Sequence, residues 1–263
     1  MKLFLNAAPA PPGTRPARTA YMTGASSGIG RALALELAAR GADLFLAARR
    51  ADALEEVRAR IATEHPARRV VTSVLDVTDL DAARANVAEA AAALGRLDLI
   101  IANAGTDAAG RIGDGHWADH LKVMTTNYLG ATATLDAGVE VLRRQGGGQI
   151  VGIGSVATFG EPGGAPYCSS KAGLEVYLQS LRTETWREPI AVTTISPGYI
   201  DTPINQAMAS RPFLIDATEG ARVIADRIER GGGRAALPKW PWPYVSFMMR
   251  HLPERVLLWA AER

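Results

Sequence analysis

Short runs of apolar residues alternate along this chain with segments in which apolar residues recur every three or four positions. The runs predict buried β-strands and the recurring pattern predicts amphipathic helices. Strands are expected within residues 18–24, 43–49, 69–77, 97–105, 149–155, 191–198 and 234–238. Helices are expected within residues 28–41, 51–64, 79–94, 117–144, 166–187 and 217–230.

The apolar runs are continuous rather than alternating, which is typical of strands covered on both faces. Strand–helix units joined by right-handed crossovers then predict an α/β fold, a doubly wound parallel sheet of the Rossmann type. Residues 18–238 show no internal boundary and are predicted to form one domain. In such a sheet ligands bind beyond the carboxyl ends of the strands, so the residues that follow each strand hold the candidate chemistry.

Composition narrows the function classes. Hydrophobic residues make up 48% and charged residues 21%, which is ordinary for a globular protein. The formal net charge is +2 and no long run of Lys or Arg occurs, which argues against a nucleic-acid partner. A single cysteine, Cys168, excludes an internal disulfide framework and suits a reducing compartment. We therefore expect a cytoplasmic protein.

The two ends of the chain differ from the middle. Residues 1–17 carry several prolines and too short an apolar run for a signal peptide, which predicts a flexible arm. Residues 239–263 contain three tryptophans and several prolines, which predicts a helical extension. No apolar run approaches the ~20 residues of a membrane-spanning helix. The extension is expected to cover the site or contact another subunit, with peripheral contact to a bilayer surface as the alternative.

A glycine-rich turn, "TGASSGIG" at 23–30, follows the first strand and opens the first helix. Glycines allow a tight turn and close approach of the backbone to a phosphate. The helix N-terminus then offers free N–H groups and a positive dipole end. The turn therefore predicts a nucleotide site, although its spacing is not the common Gly-x-Gly-x-x-Gly.

Several motifs in order along residues 18–237 resemble the short-chain dehydrogenase/reductase family. They are Thr-Gly-x-x-x-Gly-x-Gly at 23–30, "LDVTD" at 75–79, "ANAG" at 102–105, Tyr-x-x-x-Lys at 167–171 and "PGYIDT" at 197–202. Ala102 stands where the family more often has Asn. The resemblance implies an NAD(P)-dependent oxidoreductase that interconverts a ketone and a secondary alcohol. The catalytic residues that the resemblance implies are Asn127, Ser155, Tyr167 and Lys171.

The resemblance also implies which residues contact the dinucleotide. Asp76 is placed on the adenine, and residues 197–202 on the nicotinamide. The residues expected at the cofactor are Thr23, Gly24, Ser26, Ser27, Gly28, Ile29, Gly30, Asp76, Val77, Asn103, Ala104, Gly105, Tyr167, Lys171, Pro197, Gly198, Ile200 and Thr202.

Tyr167 and Lys171 are four residues apart and share one helix face. A nearby ammonium lowers the pKa of a phenol from its usual value near 10. The resemblance implies that Tyr167 exchanges a proton with the substrate oxygen while hydride is transferred. It also implies that Lys171 binds the nicotinamide ribose. Ser155 holds the substrate oxygen, and Asn127 positions a water that links Lys171 to solvent.

The end of the second strand bears on cofactor choice. An acid about 20 residues beyond the glycine turn binds the ribose hydroxyls of NAD and repels a 2′-phosphate. Here that place holds Ala48, followed by Arg49 and Arg50. Guanidinium groups bind phosphate with paired, charge-assisted hydrogen bonds. The sequence therefore predicts NADP(H) in preference to NAD(H).

The resemblance implies that the segment after the sixth strand, about residues 199–216, supplies much of the substrate pocket. This segment is rich in apolar residues, which suits an apolar ketone or alcohol. The expected pocket residues are Ser155, Phe159, Tyr199, Ile204, Met208 and Phe213. A 3-oxoacyl thioester or lipid 3-ketone reductase stays open as an alternative, as does a non-catalytic dinucleotide sensor. Chain length and glycine spacing argue against an epimerase or dehydratase of the extended branch.

Two remaining expectations concern metals and assembly. His116 and His120 are four apart, but no third ligand accompanies them, so no metal site is predicted. The resemblance implies a homodimer or homotetramer built on the long helices around 117–144 and 167–187.

Overall fold

The central feature is a parallel sheet with the strand order β3-β2-β1-β4-β5-β6-β7. The computed structural model describes residues 18–108, 110–158, 164–206, 208, 210–251 and 255. Its strands are β1 Thr19–Thr23, β2 Asp43–Ala48, β3 Val70–Val74, β4 Leu99–Ala102, β5 Gly148–Ile153, β6 Ile190–Pro197 and β7 Gly233–Leu237. The predicted arm at 1–17 and Phe159 lie outside the described residues.

Helices connect the strands as the sequence predicts. They are α1 Gly28–Ala39, α2 Ala51–Glu64, α3 Leu80–Leu94, α4 Trp117–Met124, α5 Ala131–Arg144, α6 Ala165–Glu184, α7 Ala217–Glu229 and α8 Trp242–His251. The long helix expected within 117–144 is interrupted by a π-helical segment, Thr125–Gly130, which joins α4 to α5. Such wider turns occur often at functional sites, and this one contains Asn127.

Each face of the sheet carries its own apolar core. In β1, Ala20 and Met22 pack into the cluster that includes residues of α1, α2 and α7. Tyr21 points to the opposite face and packs with residues of α3, α5 and α6. Side chains of successive strand residues alternate between faces, so a strand covered on both sides is apolar throughout. The predicted doubly wound sheet is therefore confirmed.

The strand order reverses beside β1, whose neighbours are β2 and β4. A crevice opens at such a reversal, outside the carboxyl ends of the strands. The glycine-rich turn leaves β1 at this edge, and the Ala-Asn-Ala-Gly motif leaves β4 beside it. The topology thus brings these two motifs together although about 80 residues separate them.

Of the predicted extension at 239–263, the structure describes residues 239–251 and 255, which include α8, and the rest lies outside the described residues. Across the described part of the chain, no helix combines the length and apolar character that crossing a membrane requires.

Candidate active site

The glycine-rich turn is held against the segment that follows β4. Gly24 has a φ of +70°, and a Cβ at this position would lie 2.7 Å from the Cα of Ala104. The Asn103 amide nitrogen donates to the carbonyl oxygens of Thr23 (2.9 Å) and Gly24 (3.1 Å). The Thr23 hydroxyl accepts from the backbone N–H groups of Asn103 and Ala104. Thr23 and Asn103 therefore fix the shape of the turn.

The N-terminus of α1 has the features of a phosphate site. Its capping residue, Ser27, makes no side-chain hydrogen bond, and the first turn contains no acidic residue. Asp79 and Asp216 cap the N-termini of α3 and α7 with their carboxylates, whereas α2, α4 and α6 begin, like α1, without a side-chain cap. The first N–H groups of α1 thus keep their hydrogen-bonding capacity, together with the positive end of the helix dipole. These groups fit the pyrophosphate of a dinucleotide.

A cavity of about 390 Å³ extends from the end of β2, past the glycine-rich turn, to the first turns of α6. Its lining includes these predicted cofactor residues: Gly24, Ser26, Ser27, Gly28, Ile29, Gly30, Arg49, Arg50, Asp76, Val77, Asn103, Ala104, Gly105, Tyr167, Lys171 and Thr202. Pro197, Gly198 and Ile200 line an adjoining cavity instead. Thr23 is buried and lines neither. The first cavity therefore joins the predicted adenosine end to the predicted nicotinamide end.

The adenosine end carries two arginines and one carboxylate. Arg49 is exposed, with its Nη1 3.9 Å from Asp76 Oδ2, and Arg50 Nη2 lies 3.3 Å from the Ser26 hydroxyl. Burial raises the pKa of Asp76, but two hydrogen bonds from Thr78 and the charge of Arg49 outweigh it and lower that pKa overall. Asp76 is therefore ionised at neutral pH, and Ala48 leaves the strand end without a second acid.

The nicotinamide end contains a buried lysine beside a tyrosine. Lys171 is 4% exposed, its Nζ donates to the carbonyl oxygen of Ile153 at 3.0 Å, and that nitrogen lies 5.7 Å from the ring centroid of Tyr167. Burial lowers the pKa of Lys171 from 10.5 to about 8. The ammonium form therefore prevails at pH 7, and burial of this charge lowers the free energy of unfolding of the protein.

Asn127 is fully buried, and its side chain connects two segments of the site. Its Oδ1 accepts from the N–H of Thr106 and its Nδ2 donates to the carbonyl of Thr106, each at 2.8 Å. Its Nδ2 also donates to the hydroxyl of Ser170, which in turn donates to the carbonyl of Tyr167. Asn127 lines neither cavity, and its contacts link the segment after β4 to α6. Its predicted water stays a prediction.

A second cavity, of about 130 Å³, adjoins the first at Tyr167 and contains Ser155. The Ser155 hydroxyl accepts from the N–H of Ala157 at 3.1 Å, so the oxygen is held at the cavity wall. Among the predicted pocket residues this cavity is lined by Tyr199, Ile204 and Met208. Phe213 does not line it but packs edge-on against Trp242, which does, with ring centroids 6.1 Å apart.

Six lining residues of this cavity were not predicted: Asp107, Gly154, Val156, Ala157, Asn205 and Trp242. Asp107 lies two residues beyond the Ala-Asn-Ala-Gly motif, a position that could have drawn attention. Asn205 donates to the carbonyl oxygen of Ile200 at 2.8 Å and so shapes the loop after β6. Trp242 comes from the tail, and no spacing rule relates the tail to the motifs. The composition of the tail, rich in tryptophan, was the only signal.

Among the residues that the structure describes, no group of three or more His, Cys, Asp or Glu side chains could hold a metal ion. His116 lies 3.9 Å from Asp119 rather than in a ligand cluster.

Comparison with known sequences gives the family. The profile of the short chain dehydrogenase family matches residues 18–212. An uncharacterised oxidoreductase of Mycobacterium tuberculosis is 37% identical over 238 residues, which cover 89% of this chain and 94% of that protein. An uncharacterised oxidoreductase of Myxococcus xanthus is 34% identical over 248 residues, covering 94% of this chain and 97% of that protein.

Solved structures agree with the sequence comparison. Levodione reductase superposes with a TM-score of 0.79 at 26% identity, covering 86% of this chain and 98% of that one. A short-chain dehydrogenase from Mycobacterium paratuberculosis bound to NAD has a TM-score of 0.75 at 26% identity, covering 86% and 98%. An alcohol dehydrogenase from Thermococcus sibiricus complexed with 5-hydroxy-NADP has a TM-score of 0.76 at 25% identity. The superposition covers 84% of this chain and 95% of that one. The chain belongs to the short-chain dehydrogenase/reductase family, and it is an oxidoreductase that acts on CH–OH groups with NAD(P).

Proposed function

We propose that this enzyme reduces compact, apolar ketones to secondary alcohols with NADPH. The observation that carries the proposal is the position of Tyr167, which lines both the dinucleotide cavity and the small cavity that holds Ser155. A proton donor thus stands where a bound cofactor and a bound ketone would meet. General acid catalysis requires such reach before any question of pKa arises.

The cofactor supplies the hydride when it is bound. The uncapped N-terminus of α1 and the turn around Gly24 hold its pyrophosphate. Lys171, which lies beside Tyr167 on α6, binds the nicotinamide ribose, and Asp76 contacts the adenine. These assignments extend the family resemblance onto side chains that line one continuous cavity.

Tyr167 donates its phenolic proton to the oxygen of the ketone. The positive charge of Lys171, 5.7 Å from the ring centroid, stabilises the phenolate that remains. Ser155 donates a hydrogen bond to the same ketone oxygen, because its hydroxyl accepts from Ala157 and keeps its own proton available. Asn127 holds Tyr167 in place through Ser170 rather than touching the substrate.

The preference for NADPH rests on Arg49, Arg50 and the missing acid at Ala48. Both guanidinium groups line the cavity at the end of β2, and Arg50 already reaches the Ser26 hydroxyl of the turn. A 2′-phosphate placed there accepts charge-assisted hydrogen bonds worth about 1.5–3 kcal/mol. That range corresponds to a preference of roughly ten- to a hundredfold.

The small cavity favours a compact, uncharged substrate. Its volume is about 130 Å³, and the described lining residues include one carboxylate, Asp107, and no basic side chain. A substrate carboxylate would therefore meet repulsion without a compensating cation. A structural neighbour at 26% identity is named levodione reductase, which supports ketone reduction as the direction of the reaction. A 3-oxoacyl thioester or lipid 3-ketone reductase is the alternative.

The test is a screen of purified enzyme against ketones, keto acids, steroids and 3-oxoacyl thioesters, with NADPH or NADH and cofactor absorbance as the readout. We expect reduction of small neutral ketones with NADPH. Preferential reduction of thioesters would favour the alternative instead. Cofactor binding without turnover of any substrate would indicate a dinucleotide sensor.

Assembly and domain organisation belong to the same proposal. Residues 18–238 form the catalytic domain and 239–263 an extension. The long helices provide the contact of a homodimer or homotetramer, since Leu129 and Val176 are exposed there. Light scattering of the purified protein measures the assembly. The single cysteine supports a cytoplasmic location.

A further inference from the structure

The tail reaches the substrate cavity through one side chain. Trp242, the first residue of α8, is 5% exposed and lines the same cavity as Ser155 and Tyr167. Its indole meets the rings of Tyr199 and Phe213 edge-on, with centroids 5.5 Å and 6.1 Å apart. Edge-to-face contacts of this kind fix ring orientation as well as burying area.

The other described aromatic residues of the tail point outward. Trp240 is 70% exposed, and Tyr244 and Phe247 are exposed to a similar degree. The burial of Trp242 is therefore a property of that position and is not shared by the neighbouring aromatic residues of the described part of the tail. The contrast also supplies a control, because Trp240 lies two residues away on the same segment.

The backbone after β6 is shaped to receive the indole. A Cβ on Gly198 would lie 2.1 Å from Cε2 and Nε1 of Trp242, so a side chain at this position would displace the ring. Phe213, on the other side of the indole, has a φ of 58°, which is strained for a residue other than glycine. Strain of this kind persists only where the surroundings hold it, as they do at ligand pockets.

Packing rather than hydrogen bonding holds the ring in place. The indole Nε1 is buried and has no hydrogen-bond partner within the described part of the chain. An unpaired buried N–H is unfavourable, so no polar contact explains the orientation. The ring instead occupies space beside the proposed proton donor.

We propose that Trp242 sets the upper size limit of the ketone. The indole is part of the wall of the 130 Å³ cavity, so in this proposal it leaves room for compact cyclic or short-chain ketones and excludes long acyl chains. This inference rests on the proposed function and deepens it. Removal of the indole joins its volume to the cavity and admits a longer chain, whereas removal of an exposed tail aromatic does not.

The experiment measures kcat/KM with NADPH for methyl ketones of increasing chain length and for cyclic ketones of increasing ring size. In Trp242→Ala, kcat/KM for long ketones relative to kcat/KM for short ones should rise by roughly tenfold or more. Changes of this size are typical when the volume of an apolar pocket changes. Trp242→Phe, which keeps a smaller ring, should give an intermediate profile. Trp240→Ala should keep the wild-type profile. NADPH affinity should stay unchanged, because Trp242 does not line the dinucleotide cavity.

The outcomes separate the two proposals. If the wild-type enzyme reduces short ketones and both Trp242 variants keep its size profile while binding NADPH normally, the assignment of Trp242 is wrong and the proposed function stands. If Trp242→Ala loses activity because α8 detaches, an unchanged profile in Trp242→Phe still overturns the assignment. If the wild type binds NADPH but reduces no ketone of any size, the proposed function fails and the assignment falls with it.

Discussion

Replacement of Lys171 by methionine should stabilise the protein near neutral pH while abolishing its activity. Lys171 is 4% exposed, and burial lowers its pKa from 10.5 to about 8. Below that value the folded protein holds an ammonium in a poorly solvated site. Methionine is similar in length, apolar and flexible, so it occupies the space without a charge.

The size of the effect follows from the pKa. At about 1.36 kcal/mol for each pH unit, the lowering from 10.5 to about 8 corresponds to about 3 kcal/mol of charge-burial cost. Methionine also loses the hydrogen bond to the carbonyl oxygen of Ile153, which offsets about 1 kcal/mol. The free energy of unfolding should therefore rise by about 2 kcal/mol near pH 7, or about 5 °C in Tm.

The difference should depend on pH with a definite sign. Between about pH 8 and 10.5 the unfolded chain binds the Lys171 proton and the folded chain does not, so wild-type stability rises with pH through this group. The variant lacks this rise. Its advantage should therefore shrink through that window, and above it the lost hydrogen bond should leave the variant slightly less stable.

Urea unfolding of the cofactor-free proteins at several pH values between about 7 and 10.5 measures the difference, since bound NADPH would add its own stabilisation. Lys239→Met, at an exposed position, is the matched control and should change stability by less than about 0.5 kcal/mol. A Lys171→Met protein less stable than wild type near pH 7 would refute the reasoning. So would a stability difference that stays constant across the window.

Four further predictions test other parts of the site. Tyr167→Phe should lower kcat by about 10²- to 10⁴-fold with NADPH affinity retained, and near-normal turnover would exclude the proposed proton donor. The double variant Ala48→Asp with Arg49→Ala should have a higher kcat/KM with NADH than with NADPH. Equal kcat/KM values for the two cofactors in the wild type would contradict the role given to the end of β2. The kcat/KM for a neutral ketone should fall above about pH 8 as the free enzyme loses the Lys171 proton, and a flat profile to pH 10 would contradict that role. Deletion of 239–263 should raise KM for the ketone or change the assembly size, and loss of liposome flotation on deletion would indicate membrane contact instead.

The sequence predicted the fold well because each motif depends on local backbone chemistry and on a topology with few alternatives. Continuous apolar runs identify strands covered on both faces, and handedness then fixes which strand ends meet. Boundaries were less exact. The strand expected within 97–105 ends at Ala102, because the next residue, Asn103, turns its amide to the glycine-rich turn and its N–H to Thr23.

The parts that the sequence could not predict depend on contacts between distant segments. Asn127 was expected to position a water, and nothing local indicates that Thr106 and Ser170 use its side-chain amide. Trp242 follows β7 in a tail whose path is not governed by the strand–helix pattern. Its place beside Gly198 becomes evident only when both are seen in space.

Two features of the crevice at the carboxyl ends of the strands suit an anionic ligand. Lys171 holds a charge in a buried place, and α1 begins without a side-chain cap, as α2, α4 and α6 also do. Unpaired buried atoms alone are not diagnostic, since His120 and Ser246 have them away from the two cavities. A buried ammonium and an uncapped helix N-terminus, however, are both groups that an anionic ligand satisfies. Departures from local rules are expected where function selects them, and here both lie on the walls of the cavity assigned to the dinucleotide.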